Sequence, residues 1–350
     1  TTEIMKDKAE NIFKRDKFLI VAAANHDLIF YNLVEGKIQE RFSGHTDIVT
    51  DVNIHPEGRL FVSCSDDGTV KLWSLGTTKL VSTMIPFRDK EFVFVNDENY
   101  YMITKGAMDE IGFKYQGQFF YPEQFDLKYN RPDIVLEDLG YSDSSLIKAY
   151  HKAYLKRLRK MNFSEDQLTD DFHLPLIEIK NELEISETTL GASVDLELLM
   201  TDDKYELDRL NVWVNDVAIY GTNGIDLRQK HLRRHELNIT VPLGKGKNKI
   251  EVGVLNSTGA ESYKKELTVT SSAGKDTPDL YIVSLGVSKH KDDKYDLTYA
   301  DKDATDICAK FQHSPRFENV YAKTFVNQEV TLENLVQIKP FLDQADINDV

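Results

Sequence analysis

The sequence predicts a multidomain protein, mostly antiparallel β, with an α/β unit over its last residues. Three observations predict it: a recurrence of one strand pattern near the N-terminal end, strictly alternating segments in the middle, and a strand-helix-strand-helix order from Asp279 onward.

With 350 residues, 41% hydrophobic and 29% charged, the chain has material for several packed cores and does not read as disordered. Its 43 basic and 58 acidic side chains give a net charge of -15, which opposes broad attraction to nucleic acid or an anionic membrane and favours protein or peptide partners. Only Cys64 and Cys308 occur, in different predicted domains, so a disulfide framework and a multi-cysteine metal site are excluded and a reducing, cytoplasmic setting is expected. No apolar run approaches the length of a membrane span, and Thr1-Thr2-Glu3 opens no leader. No cofactor or metal is expected. Three N-x-[ST] triplets, at Asn162, Asn238 and Asn256, are assigned no role.

The recurrence comes first. Leu28-Ile29-Phe30-Tyr31-Asn32-Leu33 returns as Val70-Lys71-Leu72-Trp73-Ser74-Leu75, 42 residues on, the period of one four-stranded propeller blade. Within it Gly44-His45 precedes Trp73, and Ser65-Asp66-Asp67-Gly68-Thr69 supplies a tight turn. These residues resemble a WD-repeat blade, with Ser74 where that family usually has Asp. The resemblance implies structural roles for Gly44, His45, Asp67 and Trp73: the His and turn Asp bond within the blade, and the Trp fills the space between blades. A weaker third unit is expected over Phe92 to Phe120. Residues 1-122 are thus expected to be the C-terminal blades of a longer, partial β-propeller.

Residues 123-173 read as a connector with a helix over 144-161, its apolar stripe formed by Ile147, Tyr150, Tyr154, Leu155, Leu158 and Met161, with Ser144 or Ser145 as N-cap. Its other face, with Lys148, Lys152, Lys156, Arg157, Arg159 and Lys160, reads as a solvated face for which the acidic remainder of the chain offers partners. Over 174-270, Val194 to Leu198, Leu210 to Val214, Leu237 to Val241 and Ile250 to Val254 alternate strictly, with turns at Asn215-Asp216 and Gly244 to Lys247. About seven such strands have the size of an immunoglobulin-like β-sandwich, in which Trp213 would pack without a disulfide. Ser271 to Pro278 has the composition of a linker.

Residues 279-350 open on Leu280 to Val287, a run expected to be buried on both faces of a parallel sheet. A first helix carries Ala300, Ala304, Ile307, Cys308 and Phe311; a second strand spans Val320 to Val326, a second helix Leu332 to Leu342, and Asn348-Asp349-Val350 approaches a third strand. No G-x-G-x-x-G follows the first strand and no P-loop motif occurs, which argues against nucleotide binding. A flavodoxin-type binder stays as a weak third option. The strand ending in Gly286-Val287-Ser288, followed by Leu297 to Ala304 with its Asp303-Ala304 pair, resembles the opening half of a caspase-like, metacaspase-related cysteine peptidase domain. Multidomain bacterial proteins with a propeller and sandwich ahead of this fold offer a similar arrangement.

That resemblance implies an endopeptidase parent whose catalytic His and Cys stand in motifs absent here, so no catalytic residue is assigned and the chain itself is expected to be inert. Cys308 and Cys64 read as core, His290 and His313 as surface. Asp303 matches the acid that in metacaspases lines the pocket for a basic substrate side chain, although Ala300 departs from the Cys found there. The leading expectation is a fragment of a caspase-like endopeptidase; the alternative is a non-enzymatic interaction scaffold with a pseudo-protease or signalling module.

Overall fold

A computed structural model describes residues 9-15, 17-274 and 277-350. Thr1-Thr2-Glu3, and Lys275 and Asp276 of the expected linker, lie outside the described residues.

Strands β1 (Ala9–Arg15), β2 (Phe18–Ala23), β3 (Leu28–Asn32) and β4 (Lys37–Phe42) form one antiparallel meander. Period-two alternation aims Phe18, Ile20, Leu28, Phe30 and Phe42 to one face, where they share a core with Val49, Val52, Phe61 and Trp73 of the next sheet. The two sheets stack as neighbouring blades. Asn11 Nδ2 and Arg15 Nε donate to the carbonyls of Val49 and Val52, at 2.8 and 2.9 Å, and fasten β1 beside the first strand of that sheet.

The second sheet has six strands: β5 (Val49–Ile54), β6 (Leu60–Ser65), β7 (Val70–Ser74), β8 (Leu80–Pro86), β9 (Phe92–Asn96) and β10 (Tyr101–Ile103). This corrects the third blade expected over Phe92 to Phe120. The turn after β8 is short, closed by Phe87 N–H donating to the Glu91 carbonyl at 2.8 Å, with Asp89 and Lys90 in the left-handed region. So tight a turn folds β9 back on β8, pairing Ser82 with Asn96 and Pro86 with Phe92, where a new blade would need a crossover. Beyond it β11 (Phe113–Tyr115) and β12 (Gln118–Phe120) make only a hairpin.

The connector holds α1 (Asp126–Tyr129), α2 (Pro132–Leu139) and α3 (Ser144–Lys160). The N-cap of α3 is Asp143, whose carboxylate accepts the Ser145 N–H, in place of the expected Ser144 or Ser145. Only Tyr154 and Leu158 of the predicted stripe are fully buried, and Tyr150 is 41% exposed. The connector is packed between its neighbours. Phe120, Phe125 and Tyr129 share a core with Val93 and Tyr101 of the second sheet and Ala260 farther on, while Leu127, Tyr154, Leu158, Phe163 and Leu168 pack with Leu255.

Two sheets then enclose one core. One is β13 (Leu176–Ile179), β15 (Ser193–Thr201) and β19 (Arg234–Pro242); the other orders β14 (Thr188–Thr189), β21 (Lys265–Ser271), β20 (Gly246–Asn256), β16 (Leu207–Val214) and β17 (Val217–Ala218), with β18 (Ile225–Asp226) also on β16. Leu196, Leu198 and Met200 of one sheet pack with Leu210, Val212, Ile250 and Val252 of the other. The β16-β17 turn uses Asn215 and Asp216, both with positive φ, as predicted. Trp213 corrects its expectation: it has the opposite parity to Leu210, Val212 and Val214, so it lies on the outer face, where Lys264 Nζ sits 4.7 Å from its ring centroid.

In the C-terminal unit β22 (Leu280–Gly286) pairs in parallel with β23 (Val320–Val326), and α4 (Ala300–Phe311) lies between them in sequence and against both in space. Val350 exchanges backbone hydrogen bonds with Tyr281 and Asp279, both 2.9 Å, so the chain reaches the free edge of β22. β22 is buried on one side only, since Leu285 is 49% exposed. The expected second helix is split into α5 (Leu332–Val336) and α6 (Ile338–Leu342), because Pro340 has no N–H for the Val336 carbonyl.

Candidate functional site

A connected polar constellation lies inside the second sheet. Phe61 and Ser63 project to the same face of β6, opposite Trp73 of β7, while His45 precedes β5 and Asp67 occupies the turn before β7. Trp73 Nε1–H donates to Ser63 Oγ at 2.8 Å, Ser63 Oγ lies 2.7 Å from His45 Nε2, and His45 Nδ1 lies 2.8 Å from Asp67 Oδ2. The indole can only donate, so the Ser63 hydroxyl proton points to Nε2 and the imidazole donates its Nδ1–H to Asp67. Asp67 is anchored further by the Thr69 hydroxyl at 2.6 Å and by the N–H groups of Thr46 and Thr69 at 3.0 and 2.9 Å.

Burial pushes His45 below its ordinary value, with the Asp67 contact opposing in part, so the neutral ring required by the chain of bonds is the favoured one. Burial alone would raise Asp67, but the bonds from Thr69, Thr46 and His45 outweigh it and hold its carboxyl well below the usual range. Gly44 completes the arrangement, since a Cβ there would meet the Trp73 ring at 3.0 Å and its φ of +154 is rarely adopted by other residues.

Serine, histidine and aspartate in series are also the order of a hydrolase triad. Here Ser63 is fully buried, 0% exposed, and its oxygen already accepts the indole N–H, so no carbonyl carbon can reach it. The arrangement holds the blade together. The structure brings Gly44, His45, Asp67 and Trp73 together, with Ser63 between His45 and Trp73 as a member the sequence analysis did not single out. A polar residue at the same strand parity as the core residue Phe61, flanked by a candidate His and Trp, was the available signal.

In the α/β unit Asp301, two residues before Asp303, is held by partners from both strand ends. Ser288 Oγ–H donates to its Oδ1 at 2.6 Å and Asn327 Nδ2 to its Oδ2 at 2.9 Å, joining the C-terminal ends of β22 and β23 to the start of α4. Those bonds hold its carboxyl below the usual range. Asp303 is exposed in the first turn of α4; Cys308 is buried beside Ala304, and His290 and His313 are on the surface. Cys64 is half-buried in β6, and burial pushes its thiol up.

One further group was not foreseen. His173 Nε2 lies 2.9 Å from Asp202 and 3.2 Å from Asp203, a set that could offer ligand atoms to a cation. Asp202 is committed elsewhere, accepting from the N–H groups of Lys204 and Tyr205 and from Asn256 Nδ2.

The bonded blade defines a class. Residues 36–74, from the start of β4 to the end of β7, match the family model of the WD domain, G-beta repeat, so this segment is a WD repeat that straddles two blades. The chain is 34% identical over 58 residues to the WD repeat domain-containing protein 83 homolog of Dictyostelium discoideum, 17% of this chain and 18% of that protein. It is 44% identical over 43 residues to the ribosome biogenesis protein BOP1 homolog of Drosophila melanogaster, 12% of this chain and 6% of that protein. The chain thus spans less than a fifth of these relatives' length. Among solved structures, the WD40 beta propeller domain of Doa1 aligns over 26% of this chain and 34% of its own at 18% identity, with a TM-score of 0.20. The family match falls within the blades, and none of these likenesses supports the peptidase expectation. No helix among the described residues is long and apolar enough to cross a membrane.

Proposed function

We propose that the chain is a protein-interaction scaffold, with blades and an immunoglobulin-like sandwich fixed to one another by a packed connector and an α/β unit as a signalling or pseudo-protease module. The carrying observation is that a constellation resembling catalytic machinery, Ser63 with His45 and Asp67, is closed inside a WD repeat by Trp73. The strand order of the two sandwich sheets supports the immunoglobulin-like reading, and WD blades commonly present surfaces to other proteins. The test pairs a peptidase assay on fluorogenic peptides with identification of proteins cross-linked to the chain. No turnover and a saturable, defined partner are expected. Turnover that Ser63→Ala or Cys308→Ala abolishes would remove the scaffold reading.

A second reading, the opening half of a caspase-like domain, is supported by the parallel β22-β23 pair with Val350 on the other side of β22. In it Asp303 would receive a basic side chain. A peptide ending in arginine aldehyde should then perturb the amide resonances of the first turn of α4, and Asp303→Asn should abolish the effect; unperturbed resonances rule this role out.

A further inference from the structure

Helix α3 carries Lys148, Lys152, Lys156 and Lys160 at four-residue spacing on its solvent side, all exposed. They belong to the face read from the sequence as solvated, in a chain of net charge -15 that offers many acids. Elsewhere lysines find such acids: Lys128 pairs with Asp170 at 3.1 Å, Lys264 with Glu123 at 3.0 Å, and Lys249 with both Glu251 and Glu266. None of the four lysines of α3 has an ion pair among the described residues; of the basic face, Arg157 is paired with Asp126 at 2.7 Å. Like charges four apart on a helix repel one another, so the row costs the helix a few tenths of a kcal/mol per pair, offset only at Lys160, which lies in the last turn where the helix dipole favours a cation.

Next to the start of α3 lies an apolar cleft of about 470 Å³, lined by Ile54, Leu60, Val62 and Leu72 of the second sheet and by Leu139 and Tyr141. It exists because α2 packs on β8, β9 and β10 and leaves the β5-β7 part of that face open. Ser142 also lines the cleft, and α3 begins two residues later, so Lys148 stands roughly 6 Å along the helix axis from its first residue.

We propose that cleft and lysine row together take an acidic protein segment bearing bulky apolar side chains, which enter the cleft while its carboxylates meet the lysines. This rests on the interaction reading above. Charge complementarity selects an acid, and the cleft selects side chains that a nucleic acid backbone lacks. A bilayer or a long polyanion would also bring the remaining negative surface of the chain into repulsive range.

The test is a fluorescence-anisotropy titration of the full chain with a labelled synthetic peptide of Glu, Leu and Phe, beside a poly-Glu peptide, phosphatidylserine vesicles and a single-stranded oligonucleotide. The mixed peptide should bind, more weakly at higher salt, and K148E/K152E/K156E should weaken it about tenfold with unchanged circular dichroism. Tyr141→Ala, at a residue 55% exposed, should weaken it separately. Equal affinity of wild type and triple variant overturns the proposal, as does poly-Glu, vesicle or oligonucleotide binding as tight as that of the mixed peptide. If the peptide fails while a cross-linked partner persists, this surface falls alone; if neither binds, the scaffold reading falls with it.

Discussion

At the scale of single residues, the WD repeat depends on one proton per bond along Trp73, Ser63, His45 and Asp67. Removing the Ser63 hydroxyl leaves both the buried indole N–H and His45 Nε2 without partners, a cost of about 1–3 kcal/mol. The pH response has a definite sign. His45 is held neutral, so its contribution is complete above its unfolded value of 6.5 and drains as the pH falls below it. Asp67, depressed from 3.8, adds stability that is present above that value and lost in stronger acid. Trp73 and Trp213 are the chain's two tryptophans, so in a Trp213→Phe background indole fluorescence reports the blade alone. Its urea midpoint should fall between pH 7 and about 5, and Ser63→Ala should lower it at every pH. A midpoint independent of both would show that the bonded chain does not hold the blade.

At the scale of elements, Gly286 is the tightest point of the α/β unit: a Cβ there would stand 2.1 Å from the Ala300 carbonyl oxygen and 2.7 Å from Ala304 Cβ. Gly286→Ala should force α4 off β22 and cost roughly 1–3 kcal/mol, seen as faster amide hydrogen exchange over Ala300–Phe311, with the blades unaffected. Unchanged exchange would mean that α4 is not seated by this contact. Elements whose burial follows a local period were legible in the sequence, as in β15 and β19, where alternation alone fixes the inward face; β20, buried on both faces from Ile250 to Asn256, shows no such period in its burial. The outward turn of Trp213 follows from the same parity, opposite to that of Leu210, Val212 and Val214. What was not legible depends on pairings between distant residues. Phe92 to Asn96 reads as a strand in any context, and only the tight turn at Phe87 to Glu91 decides that it extends an existing sheet. The solvated face of α3 was legible, but which of its charges would find a partner was not, since a composition of -15 says nothing about which acids are within reach.

At the scale of the whole molecule, the question is what keeps blades and sandwich in a fixed relation. Arg209, buried in β16, donates to Asp208 and to the Met161 carbonyl at the end of α3, with its guanidinium 5.2 Å from the Phe163 ring centroid. On the outer face of the same sheet Lys264 bridges to Glu123 of the connector, and Glu261 N–H donates to the Gln124 carbonyl at 2.9 Å. Glu261 is the sensitive member. Burial pushes its carboxyl up to about 7; Lys264 and the Asn211 amide oppose this, and the nearby Glu123 and Asp126 reinforce it. A carboxyl raised from 4.5 is favoured in its protonated form by the fold, so the stability it contributes is complete below that value and is lost as the pH climbs through about 7. The loss is on the order of 3 kcal/mol when the group is fully ionised. The acid-weakened blade and the base-weakened junction therefore respond to pH in opposite directions. Limited proteolysis of the connector separates them: cleavage near Glu123 should accelerate between pH 6 and 8 in the wild type, and Glu261→Gln, which keeps the shape without the charge, should flatten that rise. If both proteins show the same slope, the junction does not titrate through Glu261, and Lys264 with Glu123 must hold it unaided across that range.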